Sequence, residues 1–213
     1  MMSPIQFNIL KAQNLKGKRI GVIGDSYVRN HKEPVENTWH FKFAQKYEMQ
    51  YFNYGRNGNC VAMDRSRFGK ALYKRYATDM SDSLDVIIVV AGHNDATLLD
   101  SIGGIEVYKE KLGLLCSGLI HKYPQAHIFF FTAWNCEKFL GSNREKVVDA
   151  TLDVCGAYAI PVFDSARRSM IFASDETFRK KYFQRQPDRA HLNSAGHDRF
   201  LPIAEQFLLQ YLQ

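Results

Sequence analysis

Arg19-Ile-Gly-Val-Ile-Gly24, followed at once by Asp25-Ser26, is the stretch on which the reading of this chain turns. A short β-branched apolar run ends on a glycine, then on an acid and a hydroxyl. That reads as a buried strand delivering a turn. In an open α/β sheet, ligands meet the protein at the carboxyl ends of the strands. Ser26 therefore stands at the mouth of a crevice, provided the rest of the chain builds such a sheet.

Working outward, the chain alternates strand and helix patterns. Met49 to Tyr54 is a second strand candidate, ending in the glycine-bearing loop Asn53-Tyr-Gly55-Arg-Asn-Gly58-Asn59. Asp85-Val-Ile-Ile-Val-Val-Ala91 is apolar on both faces, hence central and parallel, and it runs into Gly92-His-Asn94-Asp95. His127 to Ala133 and Ile160 to Phe163 complete five strands. Between them, helical periodicity places Trp39, Phe43 and Tyr47 on one stripe behind a cap at Asn37 or Thr38. It predicts further helices over Ser66 to Thr78, Ile105 to Lys122 and Asn143 to Tyr158. A terminal helix from Ser194 carries Phe200, Ile203, Phe207, Leu208 and Tyr211 as its apolar stripe. Strands alternating with helices give a three-layer α/β/α sandwich on a mainly parallel, five-stranded sheet. Right-handed crossovers put the strand-end loops on one edge. No repeat or linker interrupts residues 1–213, which read as one domain.

Composition narrows the function classes. With 46% hydrophobic and 23% charged residues, the chain has the balance of a soluble globular protein. The +6 formal charge invites a nucleic-acid reading. However, the basic residues are scattered (Lys11, Lys16, Lys18; Arg65, Arg67, Lys70; Arg179, Lys180, Lys181) with no aromatic-interleaved stripe, so they read as solvated faces. Cys60, Cys116, Cys136 and Cys155 lack metal-ligand spacing. Free thiols in a reducing, cytoplasmic setting are the expectation, with export the alternative if a leader has been removed. Met1 to Leu10 has no basic segment followed by an apolar one, so no signal peptide is read, and no run approaches a membrane span.

The residues at the predicted strand ends form a chemical set. Ser26 follows the first strand, Gly58 the second and Asn94 the third, while Asp188 and His191 precede the last helix. Together they offer a hydroxyl, a backbone amide, a carboxamide, an imidazole and a carboxylate, the list that acyl transfer needs. Serine becomes a nucleophile when an imidazole takes its proton, and an acid three residues before the histidine can fold back onto Nδ1. Singly, each residue has an ordinary reading: Ser26, Asn94 or Asp95 as helix caps, Gly58 as a positive-φ turn, Asp188 to His191 as a surface turn. His93, Asp95 and Asp25 could suggest a metal site, but no ligand pair has a recognised spacing. Asp95 reads as a brace for the Asn94 loop, and His197 as structural. Tyr27 and Trp134 read equally as pocket lining or core.

Gly24-Asp25-Ser26, Asn53-x-Gly-x-x-Gly58, Gly92-x-Asn94-Asp95 and Asp188-x-x-His191 resemble, in order and approximate spacing, the four blocks of the SGNH (GDSL-type) hydrolase family. The resemblance runs from Ile20 to the terminal helix. It implies a flavodoxin-like sheet and esterase chemistry by serine acylation; no cofactor and no metal are expected. It also implies Ser26 as nucleophile, His191 as base and Asp188 as its orienting acid. The Ser26 amide, the Gly58 amide and the Asn94 side chain are implied as oxyanion donors. His93 falls at a variable position, and Trp134-Asn135 matches no strong block. The polar loops Asn30-His-Lys-Glu33 and Arg56-Asn-Gly-Asn59 suit a hydroxylated leaving group, so the expected substrate is a small acyl ester, O-acetyl on a carbohydrate. The alternatives are a lysophospholipase- or thioesterase-type acyl hydrolase, and a non-catalytic carbohydrate-binding module on the same fold. Nucleic acid is not an expected partner.

Overall fold

The apolar runs form β1 (Arg19–Gly24), β2 (Gln50–Gly55), β3 (Val86–Ala91), β4 (His127–Thr132) and β5 (Val162–Phe163) in a computed structural model. It describes residues 14–136, 139–186 and 188–212, so the Met1 to Leu10 stretch, Lys11 and Pro187 lie outside the described residues. Neighbouring strands all pair in parallel, in the order β2-β1-β3-β4-β5.

Helices α1 (Ser26–Arg29), α2 (Trp39–Lys46), α3 (Leu72–Asp79), α4 (His93–Thr97) and α5 (Leu99–Ile102) occupy the first half. The second half holds α6 (Ile105–Lys122), α7 (Asn143–Ala157), α8 (Ser165–Arg168), α9 (Glu176–Tyr182) and α10 (Ser194–Leu208). Strand side chains alternate between the two faces. Val86, Ile88, Val90, Phe129 and Phe131 pack with Trp39 and Phe43 of α2 and Phe200 and Phe207 of α10. Ile87, Val89, Ala91 and Phe130 pack with Leu72 of α3, Leu112, Leu115 and Leu119 of α6, and Val147 of α7. The sheet is thus covered on both sides, which is why β3 carries no polar residue at all. This is the α/β/α sandwich that the sequence predicts, with the flavodoxin-like strand order.

Several local expectations shift. The helix expected from Ser66 starts at Leu72, because Gly69 (φ +86) and an Arg65–Gly69 bridge close a turn first. Thr38, rather than Asn37, caps α2 by accepting from the Phe41 amide. The short helices α1, α4, α5, α8 and α9 fall outside the helices that the sequence predicts. On α10, Ile203 is only half-buried and Tyr211 lies past the helix end at 44% exposed. Buried Ala204 takes the inward position instead. The scattered basic residues are not uniformly solvated. Arg179 is buried and donates to the Ala173 carbonyl, and half-buried Arg65 donates to the Gly58 carbonyl. Cys116 and Cys155 are buried free thiols with sulfurs 3.9 Å apart.

Candidate active site

Strand order reverses between β1 and β3, so the loops leaving these two neighbours diverge and open a crevice at their carboxyl ends. Gly24 ends β1 against β3, where a Cβ would strike the Val90 carbonyl and the Val28 side chain. Asp25 then caps α1 by accepting from the Tyr27 amide at 2.9 Å, which makes Ser26 the first helical residue. The capping reading falls to Asp25, and the Ser26 hydroxyl is left for another partner.

That partner comes from the loop before α10. Ser26 Oγ lies 2.8 Å from His191 Nε2, and His191 Nδ1 lies 2.8 Å from Asp188 Oδ2. Asp188 Oδ1 accepts the Ala190 and His191 amides, both at 2.8 Å. The three-residue spacing thus folds the carboxylate back on its own loop. Partial burial alone would raise the Asp188 pKa, but the bond and charge of His191 and the two amides hold it down to about 2. An ionised carboxylate at Nδ1 keeps the proton there and leaves the Nε2 lone pair facing the serine. Such a line of groups can draw the proton from Oγ. The loop is anchored by Trp134 Nε1 donating to the Ala190 carbonyl (2.7 Å) and by the Gln184 amide donating to the His191 carbonyl (2.9 Å).

Across the crevice, Gly58 sits at φ +70, and a Cβ there would run into the Phe68 ring. Among the described residues, neither the Ser26 nor the Gly58 amide donates to another group. Asn94, at the start of α4, donates from Nδ2 to the Asn59 carbonyl (3.0 Å) and lies 3.3 Å from Asp25 Oδ2. The structure therefore gathers all five candidate residues at one crevice. Asp95 braces the Asn94 loop as expected: its carboxylate accepts the Val61 and Ala62 amides, both at 3.0 Å, tying the β3 loop to the β2 loop. Burial raises Asp25 to about 7 and Asp95 to about 6, against the pull of the amides that they accept.

Other residues of the site carry no motif signal. Arg75 on α3 is 1% exposed and donates to the carbonyls of Gly24 (2.9 Å) and Tyr54 (2.6 Å) and to Asn59 Oδ1 (2.7 Å). One guanidinium thus pins the ends of β1 and β2 and the residue that holds Asn94. Tyr27 and Trp134 prove to be core: both are buried and stack at 4.1 Å under the His191 loop. His93 Nδ1 lies 2.9 Å from Tyr27 Oη and 3.2 Å from Arg144, and burial with the Arg144 charge lowers its pKa to about 3. His197 is buried with Nε2 3.2 Å from Asn30 Oδ1, a structural role as expected.

A family model described as the GDSL-like Lipase/Acylhydrolase family matches residues 22–199. The chain belongs to that family. As a GDSL-like acylhydrolase, it resembles solved structures along most of its length. A protein from Lactobacillus plantarum aligns at TM-score 0.77 with 19% identity, over 92% of this chain and 98% of the other. The psychrotrophic esterase EstA from Pseudoalteromonas sp. aligns at 0.68 with 11% identity, over 91% and 97%. A two-domain esterase active on acetylated mannans, co-crystallised with mannopentaose, aligns at 0.70 with 14% identity, over 97% of this chain and 52% of the other. At such identities the likeness is one of fold. No curated protein matches the sequence.

Proposed function

We propose that this GDSL-like hydrolase is a serine esterase that removes a small acyl group, O-acetyl, from a carbohydrate through an acyl-Ser26 intermediate. The observation that carries the reading is the line Ser26 Oγ, His191, Asp188, closed by two contacts of 2.8 Å. Ser26 Oγ attacks the ester carbonyl while His191 Nε2 takes its proton, and Asp188 steadies the imidazolium. The carbonyl oxygen, now an anion, meets the Ser26 and Gly58 amides and Asn94 Nδ2. The contact of Asn94 with Asp25, at 3.3 Å, is long enough for that N–H to be shared with the oxyanion as a hydrogen-bond donor, while the bond to the Asn59 carbonyl holds the amide in place. The imidazolium then protonates the departing alcohol, and a water activated by the same His191 releases the acid.

Two observations favour a hydroxylated leaving group. A cleft of about 650 Å³ adjoins Asp188 and is lined by Lys32, Glu33, Gln184, Arg185 and Gln186, a polar set suited to hydroxyls. One structural neighbour is a two-domain esterase active on acetylated mannans, which supports a substrate of this kind. Asn30, the first residue of the polar loop, is buried and holds the loop by donating to the Pro34 carbonyl. The test is acetate release from a panel of acetylated glycans, with Ser26→Ala as control, beside a chain-length series of p-nitrophenyl esters. Release from glycans with a preference for two-carbon acyl groups supports the reading. A preference for eight carbons or more turns it toward a lysophospholipase or thioesterase, and binding without turnover turns it toward a carbohydrate-binding module.

A further inference from the structure

His31 lies flat on His191: the ring centroids are 4.2 Å apart and the planes differ by 10°. The sequence offers no reason for this contact. Asn30 (φ 66), the left-handed cap that ends α1, and His31 (φ 47) are consecutive non-glycine residues in the left-handed region, a pairing that persists where the surroundings over-determine it. The surroundings do so here. The His31 amide donates to the Ser26 carbonyl (3.2 Å), and its carbonyl accepts Asn57 Nδ2 (3.3 Å). Asn30 Oδ1 is held by Gln184 Nε2 and His197 Nε2, both at 3.2 Å.

A shared cation is one explanation to weigh. His31, Asp188 and His191 offer donor atoms within 4.8 Å of one another. Yet imidazole lone pairs lie in the ring plane, and two rings stacked face to face direct theirs along parallel planes rather than to a common point. Both His191 nitrogens are moreover engaged, by Asp188 and Ser26. The ring-on-ring contact itself is the feature that needs a role.

We infer that His31 is a positioning residue for the reaction: its ring is the platform that keeps His191 in line between Asp188 and Ser26 while His191 gains and returns a proton. This rests on the serine-esterase reading of the same site. His191 must accept a proton from Ser26 and hand it to the leaving group without turning away, and its anchors at Nδ1 and Nε2 lie along one axis, about which the ring is free to roll. A face-to-face neighbour blocks that roll, helped by the Tyr27 ring 5.8 Å away at 67°. The stack suits a transient imidazolium only while His31 is neutral. The charged or titratable groups facing His31 are His191, Asp188 and the adjacent Lys32, and burial followed by the neighbouring His191 lowers its pKa.

The experiment compares His31→Asn, which suits the left-handed backbone but lacks the ring, with His31→Phe, which keeps a ring but cannot titrate. Measured are kcat and KM for p-nitrophenyl acetate, the rate of Ser26 labelling by a fluorophosphonate, and Tm. Expected for Asn is a fall of about 3- to 10-fold in kcat and labelling rate, the range an aromatic pair supplies, at unchanged KM and Tm. Phe recovers most of that loss. Wild-type rates in the Asn variant, a Phe variant as slow as Asn, or an effect confined to KM would each overturn the inference. Failure of the wild type to label at Ser26 overturns the esterase reading instead, and this one with it.

Discussion

Replacing Asp188 by Asn isolates what the carboxylate does from what the loop needs. Oδ1 accepts two amides at 2.8 Å, and an Asn oxygen keeps both bonds. Oδ2 accepts from His191 Nδ1, also at 2.8 Å, and there Asn presents an N–H instead. The imidazole must then turn its lone pair to Nδ1 and carry its proton on Nε2, where it can no longer accept from Ser26. A tautomer locked the wrong way costs about 10⁴ in kcat, or about 5 kcal/mol of barrier. Stability should fall less than in Asp188→Ala, because both backbone bonds survive and only the preference of the fold for a charged carboxylate is lost. Asp188→Ala should lose comparable activity and additionally about 1–3 kcal/mol of stability, since two amides lose their acceptor. Steady-state turnover of p-nitrophenyl acetate and urea unfolding of the three proteins read both quantities. An Asn variant within tenfold of wild type would refute the assigned role of Asp188, and an Asn variant as unstable as Ala would show that the carboxylate serves the loop alone.

Further expectations concern the surrounding frame. Asn94→Ala removes one oxyanion donor and should lower kcat by about 10²–10³ with little change in KM; a loss confined to KM contradicts the role. Arg75→Met leaves the Gly24 and Tyr54 carbonyls and Asn59 without their shared donor, so urea unfolding should show a loss of about 1–3 kcal/mol for each acceptor that water does not reach. A loss below about 1 kcal/mol would mean that water replaces the clamp. Stability should also rise with pH from 5 to 6 and level off above 7. His40 and His93 have folded pKa values near 3, and that of buried His197 lies well below 6.5, so the unfolded chain takes up protons there that the fold refuses. Asp25 and Asp95, raised to about 7 and about 6, work in the opposite sense, because the fold holds protons there that the unfolded chain releases. Three histidines against two acids leave about one net proton, or about 1.4 kcal/mol per pH unit. Unfolding free energies that fall from pH 5 to 7 would contradict this balance.

The architecture was legible because it depends on patterns local in sequence. Val86 to Ala91 can only be a strand covered on both faces, and the glycines at 24 and 58 mark places where a side chain does not fit. Asp188 and His191 were legible through their spacing. The clamp of Arg75 was not, because a buried guanidinium looks in sequence like its exposed neighbour Lys74, and the carbonyls that it binds converge only once β1 and β2 are paired. The same holds for Trp134 beneath Ala190 and for the His31 stack, whose partners lie 56 and 160 residues away. Short helices such as α4 and α8 escaped because four or five residues are too few to show a period.

The central claim is a covalent acyl-Ser26 intermediate. Intact-mass and peptide mass spectrometry after exposure to a fluorophosphonate test it most directly. The account predicts one adduct per chain, located on Ser26, lost in Ser26→Ala and slowed in Asp188→Asn. A folded wild-type protein that turns over acetyl esters without an adduct on Ser26, or that carries the adduct on another residue, would contradict it.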